Sequence, residues 1–445
     1  MIVNDTTLTG TDMRTTNTLR RAGIALLAAT TLTTLPLMAT ATAAVPGEKP
    51  TAAPSRAAHG AGPWHGAWAA SPQAPSAPFG PNWSEQGFTN HTVRQIVRVT
   101  AGGTAARIEL SNRYGTTPLR ITGATVARTA EGGAVQAGTV RHLTFGQGRS
   151  VTVPMGGTVL SDGVPLRLKA LESVTVTLHL AGDTGPATFH HAAGATSYRA
   201  TGDHRSDVSG AAFRETSSSW YYLTGVEVLG GKAPRRDAIV TFGDSITDGV
   251  GATQDADNRY PDELAERLAA TGAPRAVLNH GISGNQVVND TTWAGEKGIE
   301  RFKKDVLTER GVRTVIVLEG INDIGGSGPD FPGGPTPDVS VERLIDGHRE
   351  LIRQARAKGI KVIGATLTPI KGSFYDTPAN EAKRDAFNEW VRTSGAYDSV
   401  VDFDRAVADP ADPDRMLPAY DSGDHLHPGD AGYRAMAEAL DLDEL

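Results

Sequence analysis

The sequence contains no cysteine. That excludes a disulfide framework, a cysteine nucleophile and any thiolate-ligated zinc or iron–sulfur centre. Stability then has to come from a packed core. Charge is sparse as well: Asp, Glu, Lys and Arg make up 21 % of the 445 residues and sum to −7 at pH 7. This acidic balance argues against a nucleic-acid partner. Aromatics are only 6 %. Beyond the N-terminal segment no run approaches the ~18 apolar residues that a membrane span needs. The phosphate-binding pattern Gly-x-x-x-x-Gly-Lys-Ser/Thr is missing, as is the zinc pattern His-Glu-x-x-His. Glycine (51) and proline (26) are plentiful, which suits a loop-rich folded protein. The length predicts two domains.

The N-terminus has the layout of an export signal. Arg14, Arg20 and Arg21 precede an apolar stretch that ends in small residues. Ala41-Thr42-Ala43 fits the small-x-small rule, so cleavage is expected near Ala43 or Ala44. Threonines and Pro36 dilute the apolar run, which disfavours a membrane anchor. Met1 and Met13 both remain candidate starts, and the Arg20-Arg21 pair leaves the twin-arginine route open beside the general one. Residues 1–44 are thus read as a signal peptide and 45–60 as a Pro/Ala linker. The expectation is a secreted protein with no stable membrane insertion after cleavage.

Residues 61–230 have a β texture. "TVRQIVRV", "AARIELS", "SVTVTLHL" and "WYYLTGVEV" alternate apolar and polar residues between Gly, Asn and Asp punctuation. This predicts an all-β antiparallel sandwich or jelly-roll-like domain. Trp64, Trp68, Trp83 and Trp220 are candidates for its core or for sugar platforms. "GGKAPRR" (230–236) marks a boundary. From 236 to 445 apolar runs alternate with amphipathic helical stretches. Strands are expected at Ala238–Phe242, Ala276–Asn279, Thr314–Leu318, Lys361–Leu367 and Val400–Phe403, with a last helix over about 431–440. That alternation implies an α/β domain with a parallel sheet covered on both faces, and function at the carboxyl ends of its strands.

Four stretches occupy such ends: "FGDSITDG", "NHGISGNQ", "LEGIND" and "DHLHPGDAGY". Ser245 alone reads as a helix cap. Gly249-Val-Gly251-Ala-Thr-Gln254 starts like a dinucleotide fingerprint but lacks the third glycine. Asp424, three residues before His427, can fix the imidazole tautomer and leave Nε2 as a base. His425, His427, His190 and His191 also raise a metal site, which this chemistry does not need. Together, Ser245, His427 and Asp424 supply nucleophile, base and orienter. The backbone N–H groups of Ser245 and Gly284 and the side-chain amide of Asn322 are candidate oxyanion donors. Asp244, Gly320 and Asp323 are supporting residues, the two aspartates through backbone hydrogen bonds. "GSGPDFPGGPTP" (326–337) is either a rim over the crevice or a plain surface loop.

The order Gly243-Asp244-Ser245, Gly284, Gly320-Ile321-Asn322-Asp323, Asp424-His-Leu-His427 resembles the SGNH or GDSL hydrolases, with Ile246 where the family name has leucine. The resemblance covers Asp237 to the C-terminus. It implies a flavodoxin-like three-layer α/β/α fold, usually with five parallel strands. It also implies ester hydrolysis without metal or cofactor, with Ser245 as nucleophile, His427 as base, Asp424 as its orienter, and an oxyanion hole of Ser245, Gly284 and Asn322. The layout is also similar to secreted actinobacterial GDSL proteins, through "W-x-x-x-W-x-x-S-P" at Trp64–Pro72 and "S-N-x-x-G" at Ser111–Gly115. The expected substrate is a small-molecule or polysaccharide ester with a short acyl group. The alternatives are a lipase or lysophospholipase-type acylhydrolase and a vestigial glycan- or cell-wall-binding protein.

Overall fold

A computed structural model describes residues 64–230, 237–329 and 331–445. The signal peptide and linker readings, and most of the 230–236 boundary, lie outside these residues.

The N-terminal region is antiparallel and β-rich. One sheet joins Trp64–Ala69, Leu223–Leu229 and Gly103–Ser111, with Thr158–Leu160 and Val164–Leu168 beside the last. A second orders Glu215–Ser217, Ser197–Thr201, His91–Val99, Glu172–Leu180, Gly123–Arg128 and Arg141–Leu143. Val93, Val97, Val99, Val174, Val176 and Leu178 are buried, as the alternating pattern requires of strands with one face on a core. Trp68, Trp83 and Trp220 are core residues. Trp64 is partly buried under the Arg107 guanidinium.

From Ala238 the sheet is parallel. Its strands are β1 (Ala238–Gly243), β2 (Ala276–Gly281), β3 (Val312–Leu318), β4 (Lys361–Ala365) and β5 (Ser399–Val401), in the order β2-β1-β3-β4-β5. β1 is buried along its whole length and β3 nearly so, the mark of strands covered on both faces. The helices are α1 (Ser245–Asp248), α2 (Tyr260–Ala270), α3 (Gly298–Asp305), α4 (Ile321–Gly325), α5 (Val341–Arg356), α6 (Pro378–Thr393), α7 (Phe403–Val407) and α8 (Asp430–Ala439). In α5 the buried set is Leu344, Gly347, His348, Leu351, Ile352 and Ala355 with Gln354, a helical stripe, and Ser340 caps its start. In this strand order the connections reverse between β1 and β3, where a ligand crevice is expected. Two strand ends fall short of the sequence expectation. β4 stops at Ala365 because Leu367 N–H turns to the Asn388 side chain. β5 stops at Val401 because Asp402 caps α7, so Phe403 is helical.

Both regions fall within one compact unit. Thr100 Oγ1 accepts the Val277 N–H of the edge strand β2 at 2.9 Å, which blunts that edge. Ser71 meets His280 Nδ1 at 2.9 Å, Gln73 Nε2 donates to Trp293 O at 3.1 Å, and Arg113 donates to Asp305 at 2.9 Å. The "S-P" and "S-N-x-x-G" stretches therefore sit where the β-rich region meets the α/β region. No helix among the described residues is long and apolar enough to cross a membrane.

Candidate active site

β1 ends in Gly243, and α1 begins two residues later at Ser245. Gly243 has no positive φ, so the turn itself does not demand a glycine. A Cβ there would lie 2.1 Å from Leu318 O and 2.2 Å from Thr247 Oγ1. Close packing of β1 on β3 and α1 fixes the residue. Asp244 caps α1, accepting from Ile246 N–H at 3.0 Å. Ser245 thereby stands at the start of a helix, with Oγ 2.8 Å from His427 Nε2.

His427 lies in the turn that enters α8. Asp430, the first residue of α8, accepts from Thr253 N–H at 2.8 Å and Asn258 Nδ2 at 2.9 Å, tying this helix to the loop after α1. Asp424 Oδ2 bonds His427 Nδ1 at 2.6 Å, while Oδ1 accepts from the Leu426 and His427 amides at 2.9 and 2.8 Å. Burial alone would raise its pKa. The His427 hydrogen bond and charge, with those two amides, outweigh it and hold the carboxyl well below the usual carboxylate range. Asp424 is nonetheless 46 % exposed. Water can therefore replace part of its effect on the imidazole. Asp424→Ala is expected to lower kcat by about 10²-fold or less, against the ~10⁴-fold typical of a fully enclosed triad aspartate. Steady-state kinetics beside His427→Ala checks this; equal losses would contradict it.

The oxyanion candidates converge on the same place. Neither the Ser245 nor the Gly284 N–H bonds another described residue. Gly284 has φ +78°, and a Cβ there would lie 1.9 Å from the Trp293 ring. Asn322, on α4 after β3, donates from Nδ2 to Asn285 O at 3.0 Å and accepts at Oδ1 from Tyr375 O–H at 2.8 Å. A carbonyl only accepts, so these two bonds fix the amide's orientation and leave one N–H free. Ser245, Gly284, Asn322, Asp424 and His427 all line one cavity of about 480 Å³. The supporting residues lie behind it. Asp323 accepts from Val287 and Val288 N–H at 2.7 and 3.0 Å. Gly320 precedes α4. Burial pushes the Asp244 and Asp323 carboxyls up to about 7. Phe331 and Pro332 also line the cavity, so the 326–337 stretch forms part of its wall. Asp330 is not described.

Sequence reasoning missed several residues. Tyr375 follows β4, a strand end to which the same rule points. Arg301, on α3, is buried. It donates to Asn285 Oδ1, His280 O, Gly243 O and Glu319 at 2.6, 2.8, 2.8 and 3.1 Å, joining the ends of three strands. Asp248 ends α1 and accepts from Ser283 N–H and Oγ at 2.9 and 2.8 Å, next to Gly284. Its other oxygen meets His190 Nε2 of the β-rich region at 2.9 Å, and His190 Nδ1 meets Ser71 O at 2.9 Å. Both ring nitrogens of His190 thus face acceptors.

Burial would lower the His190 pKa, but the Asp248 charge and these bonds raise it. A raised histidine contributes stability that is complete below its unfolded pKa of ~6.5 and fades as pH rises through the folded value. His190→Gln is therefore expected to lower Tm most at mildly acid pH, with the gap narrowing towards alkaline pH. Thermal unfolding of both proteins from pH 5 to 9 reads this directly, and a gap that widens with pH would contradict it.

The histidines weighed for a metal are dispersed: His425 pairs with Asp421, His427 with Asp424 and His190 with Asp248. The one acidic trio near enough to share an ion among the described residues is Glu381, Asp385 and Asp414, and Arg384 already reaches all three.

Residues 241–435 match the GDSL-like lipase/acylhydrolase family. The GDSL match starts in β1 and ends in α8, so it encloses every described residue that the α/β region contributes to the serine–histidine cavity. The C-terminal part is thus a GDSL-type α/β domain with a five-stranded parallel sheet, preceded by an antiparallel β-rich region. Similar solved structures include an acetylxylan esterase from Geobacillus stearothermophilus (23 % identity, 48 % of this chain and 96 % of that one, TM-score 0.37). Others are a GDSL-like lipase from Bacteroides thetaiotaomicron (18 %, 46 % and 85 %, 0.33) and an α/β-hydrolase from the metagenome of Lake Arreo, Spain (24 %, 46 % and 93 %, 0.37). No curated protein matches the chain.

Proposed function

We propose that this protein is a secreted serine esterase that hydrolyses carboxylic esters of short acyl groups. The observation that carries the reading is the chain Ser245 Oγ, His427 Nε2, His427 Nδ1, Asp424 at 2.8 and 2.6 Å, beside the unpaired donors of Ser245, Gly284 and Asn322. In the reaction Ser245 Oγ attacks the ester carbonyl and its proton passes to His427 Nε2. The carbonyl oxygen becomes an anion facing the three donors. As the intermediate collapses, the alcohol leaves with the proton held by His427. Water then gives His427 a proton and attacks the acyl-enzyme; collapse releases the acid and returns the proton to Ser245.

An acyl group has apolar side chains to meet it, because Trp293, Phe331, Phe374 and Tyr375 line the same cavity as Ser245, and the low aromatic content of the chain, 6 %, favours a short one. Export is supported by the sequence of residues 1–44. The test is covalent labelling by a fluorophosphonate, located by peptide mass spectrometry, with an ester series from p-nitrophenyl acetate to palmitate. Label on Ser245 and a rate that falls with acyl length are expected. Absence of both labelling and hydrolysis would overturn the assignment, and a rate that climbs with acyl length would favour the lipase reading instead.

A further inference from the structure

We infer that a second cavity, built largely by the β-rich region beside the catalytic one, is the subsite for the alcohol half of the ester and that it selects an uncharged, polyhydroxylated alcohol. The inference rests on the esterase reading above. This cavity measures about 420 Å³ and shares Phe79, His191 and Val250 with the catalytic cavity, so the two meet along those residues. An ester whose carbonyl sits at Ser245 can therefore place one half in each.

The two linings differ in chemistry. The catalytic cavity carries four aromatic side chains beyond the shared border, which suits an acyl group. The second is lined by Asn82, Ser217, Ser218, Ser219 and Gln254, with backbone from several glycines. Among the described residues its lining contains no Asp, Glu, Lys or Arg. His191 is the sole ionisable group among the described lining residues, and burial lowers the pKa of that imidazole, so it is neutral near pH 7. A phosphate or ammonium headgroup would find no counter-charge here, and leaving water would be costly for it. A neutral polyol would exchange hydroxyl–water bonds for hydroxyl–protein bonds.

Unused hydrogen-bonding groups are present to receive it. Neither ring nitrogen of His191 hydrogen-bonds a described residue, and Nδ1 is buried. The Ser218 hydroxyl and the Gln254 amide are exposed and likewise make no hydrogen bond among the described residues. At the border Phe79 is 55 % exposed. It is held edge-on to Trp293 at 5.0 Å and against His191 at 5.2 Å. A fixed ring with an open face is a stacking surface for the C–H side of a sugar ring.

The test compares kcat/KM on acetylated xylo-oligosaccharide and on p-nitrophenyl acetate for the wild type, His191→Leu and Ser218→Trp. Ser218 is itself exposed, so its variant puts a bulky ring at the cavity without replacing a core residue. The ratio of saccharide to aryl-ester kcat/KM is expected to fall at least tenfold in both variants, through KM, with fluorophosphonate labelling of Ser245 retained. Equal losses on the two substrates, or no change in the ratio, would overturn the subsite. So would a wild type that cleaves p-nitrophenyl acetate but no saccharide ester. A wild type inert on every ester and unlabelled at Ser245 would show instead that the esterase reading had failed.

Discussion

Ser245→Ala is expected to lower kcat for p-nitrophenyl acetate by about 10⁶-fold, with circular dichroism and Tm close to wild type. The fold should survive because the packing around Ser245 does not depend on its hydroxyl. Asp244, rather than Ser245, caps α1, and Gly243 holds the close approach to Leu318 O. The loss should be this large because the hydroxyl, the imidazole and the donors act as a unit: without Oγ, the base has no nucleophile to activate and no acyl-enzyme forms. His427→Ala should cost nearly as much alone, and the double variant little more than either single one. Additive losses would mean that the two residues act in different steps. A Ser245→Ala protein with wild-type rate would sink the nucleophile assignment outright.

Those residues were legible as candidates because the proposed chemistry itself constrains them. A nucleophile, an amide donor and an Asp–His pair had to stand at strand ends of a parallel sheet, and residue type with position narrowed the choice to Ser245, Asn322, Asp424 and His427. The five strands were legible for the same kind of reason: buried parallel strands read as short apolar runs. What stayed hidden depends on partners remote in sequence. Arg301 looks like one more charge on an amphipathic helix until α3 packs against the strand ends and its guanidinium meets Gly243 O and His280 O. Asp248 reads as the end of a turn until His190, 58 residues earlier, reaches it. Phe79 and His191 belong to the β-rich region, so no motif of the α/β half can announce them as cavity walls. Gly243 and Gly284 were visible as glycines, but their reasons were not. Leu318 O and the Trp293 ring occupy the space a Cβ would need.

Asn322→Ala is expected to lower kcat by about 10²–10³-fold, or ~2.7–4 kcal/mol of barrier, with a small change in KM. An oxyanion donor stabilises charge that develops after binding, so its loss belongs to kcat. The surrounding bonds allow a graded series. Tyr375→Phe removes the O–H that holds Asn322 Oδ1 but leaves the amide in place, so a loss of about tenfold or less is expected. Asn322→Asp keeps the size but puts an oxygen where the free N–H had been. Unprotonated, it would repel the oxyanion, so this variant should be slower than Asn322→Ala. Gly284→Ala should be severe by another route. Its φ of +78° disfavours any side chain, and the Trp293 ring lies 1.9 Å from the new Cβ, so the loop must move and carry its N–H away from the hole. Kinetics on p-nitrophenyl butyrate would rank these variants. An Asn322→Ala effect confined to KM would make Asn322 a residue that binds substrate rather than one that stabilises the anion.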